Sequence, residues 1–197
     1  MNWKLRGLAI VGALTVAAGF VAVPAFAAAP VNGVGTVSNC KMSGSIAFSP
    51  ALSNTTKVVT TTITTNITCH GGTGDGANIA TGSAKGVEKK SESCSSLAGS
   101  TPHKLYISTK WVVKKGKRAL NASNGTLTKV ASSISNSGVI TFNASGKVSS
   151  GSFSKAPNND ILAHAIIQQN ASTVVAQCGA AGVSKLTIQP TSAIQIN

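Results

Sequence analysis

The chain has 197 residues, with 17 Lys+Arg against 4 Asp+Glu and a formal net charge of +13. Only 11% of its residues are charged, and it is rich in Ser, Thr, Gly, Val and Ile, a composition that suits strands and turns and disfavours a helical bundle. With four carboxylates in all, acid–base catalysis by a carboxylate pair is a poor fit, whereas the cationic excess favours anionic partners.

The N-terminal stretch has three parts. Lys4 and Arg6 form a positive start, residues 8–23 are uncharged and mostly apolar, and Pro24 ends the run before Ala25-Phe26-Ala27. Small residues at Ala25 and Ala27 mark a secretory signal cleaved after Ala27. The competing reading is a transmembrane anchor, but the run is slightly short and lacks a polar stop-transfer flank. Residues 1–27 therefore read as a signal peptide and residues 28–197 as a single secreted β domain. Without Lys4 and Arg6, 15 cationic residues face 4 acidic ones.

Four cysteines follow: Cys40, Cys69, Cys94 and Cys178. An even count in a secreted chain predicts two disulfides. No pair has the local spacing of a zinc site. Three pairings are open. Cys40–Cys69 with Cys94–Cys178 is preferred, because each bond ties plausible strands without crossing.

In chain order, the first strand is expected over residues 36–48. Next come Val59, Thr61, Ile63, Thr65, Ile67 and Cys69 on one face, opposed by Thr60, Thr62, Thr64, Asn66 and Thr68. A period of two held over more than ten residues fits a strand, and no helix buries it. Gly71-Gly72 signals a turn, and residues 77–83 a strand. Glu88 and Glu92 lie in a Lys-rich stretch that reads as a solvated loop. Leu105, Ile107, Thr109, Trp111 and Val113 alternate with Lys104, Tyr106, Ser108 and Lys110, which places Trp111 in the core. A turn at Gly116 follows. Residues 119–130 and 139–147 read as strands, with Asn124-Gly125 as a two-residue hairpin signal and Ser137-Gly138 as a turn. Residues 161–178 read as one strand. Residues 158–169 also fit helical spacing through Ile161, Leu162, Ala165 and Ile166, but a strand is favoured. Leu186, Ile188, Ile194 and Ile196 share one parity at the end of the chain, and Gly179 to Gly182 supply the turn before them. The sum is an all-β protein of about 8–10 strands, an antiparallel β-sandwich or barrel.

One segment resembles a known group. Cys40-Lys-Met-Ser-Gly44-Ser-Ile46-Ala-Phe48-Ser-Pro50-Ala-Leu52, then Cys69-His70-Gly71-Gly72, Cys94, Trp111 and Cys178, resembles a group of small secreted actinobacterial proteins. The resemblance spans most of residues 28–197. It implies a secreted setting but brings no activity with it. Where the group often has a second proline, this chain has Ala51.

The strongest candidate site is the basic tip around Gly116. Lys110, Lys114, Lys115, Lys117 and Arg118 sit close together in a chain otherwise sparse in charge. Such a cluster meets phosphates or carboxylates as point charges. It equally suits a solvated turn, since lysines also keep strand edges from pairing. Gly71-Gly72-Thr73-Gly74-Asp75-Gly76 lacks the Lys-Ser/Thr ending of a phosphate loop and the Asp register of a calcium repeat, so a plain inter-strand loop is expected. His70, His103 and His164 show no ligand spacing, and His164 reads as a structural histidine. No Gly-x-Ser-x-Gly motif occurs, nor any specific nucleic-acid motif. The expectation is a secreted or cell-envelope-associated, non-enzymatic binding or structural protein, with no cofactor and no metal. Its basic surface would engage an anionic envelope polymer or lipid surface. Membrane-acting (pore-forming or antimicrobial) and hydrolase readings are the alternatives.

Overall fold

The computed structural model describes residues 28–97 and 100–197, giving the backbone alone over residues 100–103. The expected signal peptide and the His103 side chain lie outside the described residues. Eight strands follow in order: β1 Val37–Leu52, β2 Lys57–Gly72, β3 Ile79–Glu92, β4 Ser100–Val113, β5 Ser123–Ile134, β6 Val139–Gly151, β7 Asp160–Asn170 and β8 Val183–Ile196. Each pairs antiparallel with its sequence neighbour, and β8 pairs back onto β1, closing an up-and-down barrel. The barrel is thus the architecture, with no second sheet among the described residues.

Closure turns the two-residue period into inside and outside. Val59, Thr65, Ile67 and Cys69 of β2 are buried inward, while Thr60, Thr62 and Thr64 point out. Leu105, Thr109 and Trp111 of β4 face the core in the same way, as do Leu186, Ile188 and Ile196 of β8. Both disulfides take the preferred pairing. Cys40–Cys69 joins directly opposed residues of β1 and β2, with Cα atoms 4.0 Å apart. Cys94–Cys178 spans 84 residues with Cα atoms 6.1 Å apart.

Three expectations need correction. Asn124-Gly125 makes no turn: both lie inside β5, opposite Ser150 and Val148. A Cβ on Gly125 would stand 2.6 Å from both the Ile161 side chain and the Lys147 carbonyl, so glycine is there for close approach. The strand expected through Cys178 ends at Asn170, and Ala171–Gly179 forms a helix, α1. Asn170 caps it by accepting from Ser172 N–H at 3.0 Å, and Val174 and Cys178, one turn apart, bury the same face. Finally, Glu88 and Glu92 belong to β3 and sit on its inward parity, because the strand runs about ten residues past the expected end.

The end of the barrel bearing the 114–122 and 152–159 connections is sealed. Phe153 is fully buried and meets Trp111 edge to face, ring centroids 5.7 Å apart. Trp111 Nε1–H donates to Ser123 Oγ at 2.7 Å, and that hydroxyl donates to the Ser152 carbonyl at 2.7 Å. Ser152 Oγ accepts from Gly33 N–H at 2.9 Å and donates to the Asn121 carbonyl at 2.8 Å, which straps the segment before β1 across the opening. Ser152→Ala is expected to leave both backbone groups without this partner at a fully buried side chain, at a cost of about 1–3 kcal/mol, read by chemical denaturation.

Candidate functional site

Two regions carry chemistry. The first is the outer wall of β3 and β4. Lys85 and Lys89 point outward from β3, Lys104 and Lys110 from β4, and all four are exposed. The connection after β4 adds exposed Lys114, Lys115, Lys117 and Arg118. The expected basic tip is therefore the foot of a longer cationic stripe. The cross-strand register explains its continuity: Lys85 opposes Ser108 and Ser83 opposes Lys110. On the far side of the Lys85 rung from Lys110, Val87 opposes Tyr106, the only tyrosine of the chain, and the two are 43% and 66% exposed. Val112, 58% exposed, stands lower on the same wall. At the tip the chain turns through Lys117 N–H donating to the Lys114 carbonyl at 3.1 Å. Lys114 is held, its Nζ donating to the Ala77 carbonyl at 2.8 Å.

None of the four carboxylates shares this wall. Asp75 accepts from Val34 N–H at 3.0 Å, Asp160 pairs with Lys147 at 2.8 Å, and Glu88 and Glu92 turn inward. The sequence showed the tip because its cations are adjacent. It hid Lys85, Lys89 and Lys104, which only the register brings alongside.

The second region is the barrel interior. A cavity of about 140 Å³ lies within it, lined by Met42, Ile63, Ile107, Phe142, Ala163 and Ile194 among others. Small inward residues make the room: Ala84 and Gly86 on β3, Ala144 on β6, Ala163 and Ala165 on β7. At the end opposite the Trp111–Phe153 seal the lining turns polar. Thr61 Oγ1–H donates to Glu92 Oε2 at 3.0 Å, and Glu92 Oε1 meets Lys90 Nζ at 3.2 Å. Glu88 Oε1 accepts from Lys104 N–H at 3.2 Å. The Cys94–Leu97 turn leans over this mouth, contributing Ser96 and Leu97 to the lining. The mouth escaped sequence reading because Glu88 and Glu92, set among lysines, look like any solvated stretch until the strand gives them a side.

The remaining candidates are accounted for. Around Gly71–Gly76, Thr73 N–H donates to the Thr36 carbonyl, Asp75 N–H to the Val34 carbonyl and Gly76 N–H to the Thr73 carbonyl, so these amides serve the chain itself. His164 lies on the outer wall, not among the apolar residues beside it in sequence, and its Nδ1 is 2.7 Å from Asn143 Oδ1. His70 is exposed. Among the described residues no three His, Cys, Asp or Glu side chains gather as a metal site would require. No family model, curated protein or solved structure matches this chain.

The polarity of the walls bears on the membrane question. The outer faces of β2, β3 and β4 carry Thr60, Thr62, Thr64, Lys85, Lys89 and Lys110, while apolar side chains fill the inside. A membrane-spanning barrel has the reverse, an apolar band facing lipid around a polar lumen.

Proposed function

We propose that this is a secreted, non-enzymatic binding protein that docks on an anionic, phosphate-bearing polymer of the cell envelope. The observation that carries the reading is the stripe of eight exposed cations along β3, β4 and the tip, with no carboxylate on that wall. Its shape suits a linear polymer: two strands wide and running the length of the barrel. Tyr106 and Val87 offer an apolar rung on which a polymer backbone can rest between charges. The signal-like N-terminus, the two disulfides and the resemblance in the cysteine framework support an extracellular setting. The polar outer walls favour this reading over a membrane-acting one.

The test uses the protein of residues 28–197 on immobilised poly(glycerol phosphate) across a salt series. Retention is expected to fall as salt rises, with a slope that tracks the number of contacts. Lys115→Glu with Lys117→Glu should weaken binding at least tenfold, and Lys85→Glu with Lys110→Glu should do the same. If only the tip pair matters, the site ends at the turn. If neither matters, the stripe is not the site.

A further inference from the structure

We propose that the barrel interior is a binding site for a small amphiphile with one apolar chain and a compact, uncharged, hydrogen-bonding head. The chain would lie in the cavity and the head at the Thr61–Lys90–Glu92 mouth. This is independent of the outer stripe.

Three observations converge. First, the cavity is walled mainly by aliphatic and aromatic side chains, and its blind end holds no unpaired buried polar side chain among the described residues. The Trp111, Ser123 and Ser152 polar groups there already satisfy one another, so that end offers nothing to water. An apolar cavity of this kind stays empty or takes an apolar guest. Second, several side chains on the inward parity keep accessible surface: Ile63, Ile107, Phe142, Ala163 and Ile194 are only half-buried, although each lines the cavity. In an eight-stranded barrel, inward residues either fill the interior or leave room for one small ligand. The run of Ala84, Gly86, Ala144, Ala163 and Ala165 puts this chain in the second group. Third, the charged side chains of the described lining, Glu88 and Glu92, both lie at the open end, which matches a molecule polar at one end. A volume of about 140 Å³ has room for a slender medium-length chain.

The head follows from charge. Among the described residues the mouth is lined by the carboxylates of Glu88 and Glu92; Lys90 pairs with Glu92, and Lys57 stands opposite Glu92 in the register. A carboxylate head would meet the two lining carboxylates at close range. An ammonium head would first have to approach a chain of net charge +13. A hydroxyl avoids both costs and can exchange hydrogen bonds with Thr61 and Glu92.

The test compares 1-octanol, octanoate and octylamine by calorimetry, with Trp111 emission as a second readout from the closed end. The alcohol is expected to bind with a negative heat-capacity change, at least tenfold tighter than either ion. Ala144→Leu and Ala163→Leu, on directly opposed residues of β6 and β7, each fill the cavity from that wall and should abolish binding. Neither should lower thermal stability, which shows the barrel intact, and phosphate-polymer retention should be unchanged. Absence of octanol binding, or binding indifferent to both leucine variants, would overturn the site. Tighter binding of either ion would overturn the assignment of the head.

Discussion

Phe153→Ala is expected to destabilise the fold by about 3–5 kcal/mol, the largest effect of any single substitution proposed for this chain. Phe153 is fully buried and meets Trp111 edge to face in the turn that seals the barrel. Removing the ring opens a hole next to the Ser123–Ser152 hydrogen bonds and to Gly33, whose backbone carbonyl accepts from Phe153 N–H at 2.7 Å. The site collapses poorly because three segments meet there: the stretch before β1, the 114–122 connection and the 152–159 connection. Residue 153 also has φ +65°, a conformation that costs an alanine as much as a phenylalanine, so the change relieves no strain. Urea unfolding followed by Trp111 fluorescence reads the loss directly, since the only other tryptophan is Trp3 in the signal-like segment. A cost below about 1 kcal/mol would mean that the turn is peripheral to the barrel's stability.

Cys94→Ala with Cys178→Ala is expected to cost about 4–5 kcal/mol, the amount the chain-entropy relation assigns to a loop of this length. The loss would also be local. At nine residues, α1 is too short to hold as an isolated helix and relies on its buried Val174–Cys178 face. Freed from the Cys94–Leu97 turn, the helix should exchange its amides with solvent well before the strands do. Hydrogen exchange on the double variant checks this. Equal protection of α1 and the strands would show that packing alone holds the helix. Cys40–Cys69 joins neighbouring strands across a separation of 29 residues, so its removal should matter less.

Much of the fold was legible because a closed antiparallel barrel writes its inside and outside into alternate residues. Val59 to Cys69 and Leu105 to Val113 show the period without interruption, and both strands are where the period puts them. Legibility failed where one residue type serves two physical ends. Glycine marks turns at Gly116 and Gly138, but at Gly125 it lets two strands approach. Valine favours strands, yet Val174 and Val175 sit in a helix, because Asn170 supplies the cap and the disulfide fixes the end. The site was half legible. The tip is contiguous in sequence and was visible. The mouth and the upper stripe are made by register between strands, which no local pattern records.

The pairing order also sets a timetable. Every strand pairing but one joins neighbours in sequence, and each hairpin can zip as it emerges. The seam between β1 and β8 is the exception, joining Val37 to Ile196 across nearly the whole chain. Until β8 arrives, β1 keeps an unpaired edge, and the growing sheet is an open, sticky ribbon. The Cys40–Cys69 bond can lock the first hairpin long before Cys178 exists to meet Cys94. Oxidation is thus ordered by topology: the early bond secures a hairpin, and the late one registers that the barrel has nearly closed.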